Sequence, residues 1–379
     1  MSHVALLIPG LDRLGGAERQ AILLAKGLLG RSWRVSVVAL TGAGGDAAAE
    51  LIASGAAFRS LGMRKGLADP RGWIRFHRWL RREMPDVVHA HLPHAAWLAR
   101  WSRLAAPMRA LVDTLHSSST GTVGRRLGYR ASGWLPDRVT AVSQAAADSH
   151  LHAGMVSAAK LVVLPNGVDA EAWRPDATVR SAMRRELGFD DEFLWFAAGR
   201  LEPVKDYPTL LRAVAQTPEA ARLVIAGSGP QRDELARLSR SLGLESRVRF
   251  LAFVPDLRRW MQAADGFVLS SLWEGLPMGL LEAAACALPA VATDVPGIRE
   301  VLVHHQTGWL APSGDASALA EAMTRMMRTP PEERKAMGER ARQLVAGRFS
   351  LEGVLDRWET LYGSLLERNS RPRRWGRGG

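Results

Sequence analysis

Short apolar runs rich in β-branched residues alternate with stretches of helical periodicity along most of the chain. In the first half the runs lie at residues 4–9, 35–40, 86–90, 110–115 and 139–142. Between the first two, Ala21, Leu24, Ala25 and Leu28 recur at helical spacing, one stripe that can cover a sheet face, and Gly30 supplies a stop. Apolar strands joined by amphipathic helices predict parallel βαβ units. After the run 161–164, Pro165-Asn166-Gly167 is a turn signal, and the polar stretch that follows carries Pro175 and the pair Asp190-Asp191. A second alternation then begins, with strands expected near 193–198, 223–226, 248–251, 266–270 and 290–293. The pattern predicts an α/β chain of two domains, residues 1–165 and 166–349. Past Leu310 the periodicity is helical. A helix over 350–367 carries Leu355, Trp358, Leu361, Tyr362 and Leu365 on one stripe and is expected to cross back to the first domain. The Arg-, Gly- and Pro-rich segment 368–379 is expected to be a basic disordered tail.

Charge divides along the same boundaries. The net +12 splits into +11 over residues 1–165, −4 over 166–367 and +5 in the tail, so the excess belongs to the first domain and the tail, whose partner is expected to be anionic. The lone Cys286 excludes a disulfide framework and a cysteine metal site. Residues 1–9 lack the cationic start of a signal peptide, and the most apolar later stretch, 267–293, is cut by Glu274, Pro277, Glu282 and Pro289. No transmembrane segment is expected.

Three places carry candidate chemistry. Gly15 and Gly16 follow the first strand and open the first helix, where backbone N–H groups can approach a phosphate, although a plain strand-to-helix turn would look the same. Arg200 and Lys205 flank the turn after the first strand of the second domain, and a guanidinium and an ammonium there can clamp a diphosphate leaving group. The segment 270–283 places Glu274 in a Gly/Pro loop and Glu282 in an apolar helix. The first carboxylate can accept sugar hydroxyls and the second a ribose diol, while the intervening stretch Gly275, Leu276, Pro277 and Met278 offers backbone N–H groups, proline's excepted, that can face phosphate. His89, His91 and His94 lie close together in sequence but lack a convincing further ligand for a metal.

These segments, in this order, resemble the retaining glycosyltransferases of family 4, which have the GT-B fold. The resemblance rests on Gly15-Gly16-Ala17-Glu18, His116, Val142-Ser143, 165–169, Gly199-Arg200-Leu201 with Lys205, 225–230, Glu274 and Glu282 with seven residues between them, 296–300 and 307–310. It implies two Rossmann-like domains whose parallel sheets face an interdomain cleft. It further implies that Gly16 faces the donor phosphates, Arg200 and Lys205 hold the diphosphate, Glu274 contacts the transferred sugar, Glu282 holds the ribose, and His116 lines the sugar pocket. His91, His94, Ser143 and Asn166 are candidates for the acceptor side. The chain departs from the family at Ala287, where glycine is common.

The expected activity is retaining transfer from a nucleotide-sugar, by default a UDP-sugar, to a glycan or polyprenyl-diphosphate-linked acceptor in bacterial surface-polysaccharide synthesis. No cofactor or metal is expected, since the chain has no Asp-x-Asp triplet. A nucleotide-sugar epimerase of the same fold is the alternative enzyme. A basic module binding membrane or nucleic acid is the non-enzymatic one, and it leaves Glu274 and Glu282 unexplained. The first domain is expected to rest on the anionic inner face of the cytoplasmic membrane, with no nucleic acid bound. Arg71, Arg75, Arg78 and Arg82 beside Trp73, Phe76 and Leu80 read as a basic interfacial helix, and the clusters Trp97, Arg100, Trp101, Arg103 and Arg125, Arg126, Tyr129, Arg130, Trp134 repeat the theme.

Overall fold

The computed structural model describes residues 1–370 apart from Arg13, 65–68, Pro107, Asp190, Asp191, Phe253 and Pro255. The chain divides into two compact units, one formed by Met1–Gly167 with Glu352–Gly379 and the other by Val168–Leu351.

In the first unit the strands are β1 (His3–Ile8), β2 (Arg34–Ala39), β3 (Ala57–Ser60), β4 (Val87–His91), β5 (Ala110–Leu115), β6 (Arg138–Ala141) and β7 (Leu161–Val163). They pair in parallel in the order β3-β2-β1-β4-β5-β6-β7. The helices between them are α1 (Gly16–Gly30), α2 (Gly45–Ala53), α3 (Pro70–Glu83), α4 (Pro93–Ser102), α5 (Val123–Ser132) and α6 (Gln144–His152). Every residue of β1, β4 and β5 is buried, as a sheet covered on both faces requires. The edge strand β3 was not expected, because its four residues alternate between exposed and half-buried and form no apolar run.

In the second unit β8 (Phe193–Ala198), β9 (Ala221–Ala226), β10 (Val248–Leu251), β11 (Gly266–Leu269), β12 (Ala290–Thr293) and β13 (Gly308–Ala311) pair in parallel in the order β10-β9-β8-β11-β12-β13. Its helices are α7 (Ala177–Leu187), α8 (Tyr207–Gln216), α9 (Arg232–Ser241), α10 (Arg258–Ala263), α11 (Met278–Ala285), α12 (Pro296–Arg299), α13 (Ala316–Arg328) and α14 (Pro331–Arg348). Each unit is thus an α/β Rossmann-like layer structure.

The last helix, α15 (Leu351–Ser370), runs three residues past the expected end, and residues 371–379 of the basic tail lie outside the described residues. Leu355, Trp358, Tyr362 and Leu365 are buried within the first unit. Leu355 sits against Gly27, where any Cβ would overlap its side chain. Arg31, at the C-cap of α1, binds Glu352, Asp356 and Glu359 at 2.6 Å each, and the Trp33 indole N–H donates to Glu359 at 2.8 Å.

Several side chains assigned to a membrane face belong to the core instead. Phe76, Leu80 and Tyr129 are buried, and Trp73 and Trp97 pack on the same core cluster. Arg75 donates to the carbonyls of Leu61 and Gly62. Arg100 is fully buried: its Nε donates to Asp113 at 2.6 Å, its Nη1 to Ser132 at 3.0 Å, and its guanidinium lies 4.4 Å from the Tyr129 ring centre. Sequence spacing cannot tell an arginine that snorkels to water from one that folds under its helix. Breaking such a pair leaves a buried, unpaired carboxylate, so Arg100→Met is expected to lower stability by about 3–5 kcal/mol, whereas Arg100→Met with Asp113→Leu should recover most of it. Urea unfolding followed by tryptophan fluorescence checks both.

Candidate functional site

Strand order reverses beside β8 in the second unit, since β9 lies on one side and β11 on the other. Loops leaving such a point diverge and open a crevice at the carboxyl ends of the strands. The loop after β8 carries Gly199 and Arg200 and a 3₁₀ turn, Pro203–Lys205; the loop after β11 carries Ser271 and Glu274 and leads into α11. Close backbone approach holds each loop against a neighbouring element. Any Cβ at Gly227 would overlap the Gly199 carbonyl oxygen, and one at Gly297 would overlap the carbonyl of Glu274.

The two loops are then tied by hydrogen bonds. Ser270 Oγ donates to the Lys205 carbonyl at 2.8 Å, and Leu272 N donates to the Val204 carbonyl at 2.8 Å. Lys205 Nζ donates to Glu274 Oε1 at 2.5 Å, and Ser271 Oγ donates to the same oxygen at 2.6 Å. Thr293 Oγ1, at the end of β12, secures the Ser271 carbonyl at 2.5 Å. Gly275, Leu276, Pro277 and Met278 are buried beneath this arrangement, and Glu282 is buried one turn into α11. The Tyr207 hydroxyl, at the start of α8, is buried without a hydrogen-bond partner among the described residues, and burial raises its pKa, so it stays protonated. Arg200 differs from its neighbours: its side chain is 62% exposed and pairs with Glu202 at 2.9 Å. The structure therefore joins Lys205 to Glu274 directly and turns Arg200 to solvent. Ser271, Gly227 and Gly297 lie in segments marked by sequence, but neither they nor Tyr207 received a role there, since nothing local in sequence shows which side chain or backbone each one meets.

The first sheet reverses between β1 and β4. Gly15 is the N-cap of α1, and its N–H donates to Glu18 Oε2 at 3.0 Å, with Gly16 opening the helix. At the ends of β4 and β5, His91 Nδ1 and His116 Nε2 are 3.0 Å apart. His91 is buried and His116 half-buried. Burial lowers the pKa of both, that of His116 to about 4. His89 bridges Tyr362 at 2.7 Å and Thr114 at 2.6 Å. His94, at the second position of α4, is exposed and shares none of these bonds. Ser143 is fully buried, and its hydroxyl caps α6 by accepting from Ala146 N at 3.0 Å. Asn166 is buried after β7.

Comparison with known proteins gives matches over nearly the whole chain. A family model described as Glycosyltransferase Family 4 matches residues 14–172, and one described as Glycosyl transferases group 1 matches 179–344. The chain is similar to the N-acetyl-alpha-D-glucosaminyl L-malate synthase of Bacillus anthracis, 29% identical with 76% of each chain covered. It is also similar to the UDP-Gal:alpha-D-GlcNAc-diphosphoundecaprenol alpha-1,3-galactosyltransferase of Escherichia coli, 25% identical over 78% of this chain and 80% of that one. Among solved structures, Anabaena Alr3699/HepE in complex with UDP and glucose aligns with a TM-score of 0.86 at 23% identity, over 95% of this chain and 99% of that one. That likeness establishes the fold as GT-B.

Two measurements test this geometry. Gly297→Ala should destabilise the second unit by about 1–3 kcal/mol through overpacking against backbone, whereas Gly30→Ala, with open space around it, should be neutral or stabilising by up to about 1 kcal/mol. In acid, an unfolded histidine takes a proton near pH 6.5 that the folded His116 refuses until about pH 4. The stability that depends on neutral His116 is therefore complete above pH 6.5 and declines as pH falls toward 4. His116→Asn should flatten that decline in urea midpoints measured between pH 7 and 5.

Proposed function

The chain belongs to glycosyltransferase family 4, and from that premise we propose that it transfers a sugar from a UDP-sugar to a hydroxyl of a glycan or lipid-linked acceptor, with retention at the anomeric carbon. The observation that carries this reading is the Lys205–Glu274–Ser271 cluster at the strand-order reversal of the second unit. Lys205 and Arg200 neutralise the donor diphosphate, which accumulates charge as the bond from its oxygen to the anomeric carbon breaks. The acceptor oxygen forms its new bond on the same face, and its proton passes to the departing diphosphate oxygen, so no protein base is needed. Glu274 accepts from hydroxyls of the transferred sugar, Ser271 and Lys205 hold that carboxylate in place, and Glu282 accepts from the ribose. His116 contacts the sugar, and Gly15 and Gly16 open a helix whose N-terminus suits phosphate. His91, His94 and Asn166 remain the candidates for the acceptor side; Ser143, spent on capping α6, acts there only through the backbone it holds. The UDP choice is supported by the nucleotide named for the Anabaena and Escherichia coli proteins.

The reaction proceeds without a metal or cofactor, because cationic side chains take the place of a divalent ion at the diphosphate. Lys205→Ala and Arg200→Ala should each lower turnover on the order of 100- to 1,000-fold with the fold intact; Glu274→Ala should behave alike, and Glu282→Ala should chiefly weaken UDP binding. Transfer should persist in EDTA. The product's anomeric configuration, read by proton NMR, should match the donor's; inversion, or full activity of Lys205→Ala, would overturn the mechanism.

The setting is bacterial surface-polysaccharide synthesis at the inner face of the cytoplasmic membrane. The diphosphoundecaprenol-linked acceptor named for the Escherichia coli relative supports it. No helix among the described residues is long and apolar enough to cross a membrane. A peripheral contact has a surface to use: Ile74 on α3, Trp101 and Leu104 at the end of α4, and Val123, Leu127 and Trp134 on and after α5 are exposed, and α4 contacts both α3 and α5. Exposed Arg71, Arg78, Arg81 and Arg82 lie on α3. Each cation near an anionic surface contributes about 1 kcal/mol. Vesicles containing phosphatidylglycerol should co-sediment the protein at low salt, and Arg78→Glu with Arg82→Glu should release it; binding indifferent to both lipid charge and these substitutions would refute the contact.

A further inference from the structure

The polar groups buried between β4, β5, β6 and α15 assign their own protons. Thr140 Oγ1 donates to the Asp113 carbonyl at 3.2 Å, so it accepts from the Thr114 hydroxyl 2.7 Å away. Thr114 Oγ1 in turn accepts from His89 Nε2–H at 2.6 Å, and His89 Nδ1 accepts from the Tyr362 hydroxyl at 2.7 Å. The reverse direction would leave the proton of Tyr362, which is fully buried, without an acceptor, and orphaned buried donors are rare.

His91 stands beside this chain, its ring centre 4.0 Å from that of His89, and among the described residues its ring has a single hydrogen-bond partner, Nε2 of His116. His91 Nε2 is buried with no partner among the described residues. A bare ring nitrogen is the tolerable occupant of such a position, because an N–H there would forfeit a bond that water supplied in the unfolded chain. The His91 proton therefore resides on Nδ1. Both rings are neutral, since burial lowers both pKa values.

We propose that His91 is a positioning residue for the transfer reaction: its Nδ1–H donates to His116 Nε2 and holds His116 as the Nδ1–H tautomer, which presents a fixed hydrogen-bond donor to an oxygen of the donor sugar. This rests on the reading that His116 contacts that sugar. Register supports it, since His91 pairs with Thr114 across β4 and β5, two residues before His116, and both side chains emerge at the carboxyl ends of adjacent strands. With His91 absent, His116 divides between two tautomers and two ring orientations, of which one offers a donor at the required place.

The tautomer is directly observable. In the full chain labelled with ¹⁵N-histidine at pH 7.5, with His116 identified by the signals lost in His116→Asn, long-range proton–nitrogen spectra should show a protonated Nδ1 and a bare Nε2 at His116. His91→Phe should convert this pattern to a tautomer mixture. In a transfer assay the same variant should lower kcat about 10-fold, the equivalent of one neutral hydrogen bond in the transition state, with little change in donor KM. His91→Asn, whose amide N–H falls near the position of Nδ1, should restore both spectrum and kcat. A protonated Nε2 at His116 in the unsubstituted protein, or an unchanged His116 tautomer in His91→Phe, would overturn the inference. Full activity of His116→Asn would instead overturn the sugar contact, whatever the tautomer, so the two failures are distinguishable.

Discussion

Both sheets begin in their middle. Because β1 and β8 are central strands from which the chain first builds outward to one side and then to the other, the loops at β1/β4 and β8/β11 must part. A parallel sheet has both faces covered by helices, so these partings at the carboxyl ends of the strands are where side chains can converge on a ligand. Lys205, Ser271, Glu274 and Thr293 gather at one, and Gly15, Gly16, His91 and His116 at the other. The close passage of backbone at Gly227, beside Gly199, and at Gly297, beside Glu274, is a local cost of the crevice in the second unit, and glycine alone meets it.

The Lys205–Glu274 pair shows how such a crevice stores its chemistry. The Lys205 side chain is 18% exposed and that of Glu274 12%, so each charge is substantially withdrawn from water and held by the other and by Ser271. A buried pair of this kind is a weak source of stability but a strong source of placement, because removing one partner strands the other. A ligand that brings its own negative charge and hydroxyl groups can share the ammonium and the carboxylate without leaving either uncompensated. Arg200, with a mostly exposed side chain and a single acidic neighbour two residues away, is free to move a long way at little cost.

The first unit uses polar burial differently. Arg100, Asp113, Ser132 and Tyr129 form one ion-paired and hydrogen-bonded network, and Tyr362, His89, Thr114 and Thr140 form another that reaches from α15 into the sheet. The second network gives α15 a directional attachment that apolar contacts of Leu355 and Trp358 alone would lack, since a hydrogen-bonded chain tolerates no shift of one residue in register.

Strands were legible in the residues alone wherever an apolar run is buried on both faces: β8 and β12 have the expected bounds, because a continuous apolar stretch between turn signals has few other destinations. Lys205 and Glu274, which the structure joins, stand in charged and glycine motifs that are local in sequence and legible there. Edge strand β3 was not, since half-exposed residues carry no hydrophobic pattern. Nor could spacing reveal that Arg100 and Arg75 point inward, that Phe76 and Tyr129 fill the core, or that Ser271 and Thr293 brace Glu274. Most of those facts depend on partners that the element's own spacing does not contain, such as Leu61 for Arg75, 14 residues away, and Tyr129 for Arg100, 29 residues away. Periodicity specifies which face of an element is buried. Only the packed structure decides which long polar side chain finds a partner within reach, because that choice is made by the geometry of neighbouring elements and not by the element's own residues.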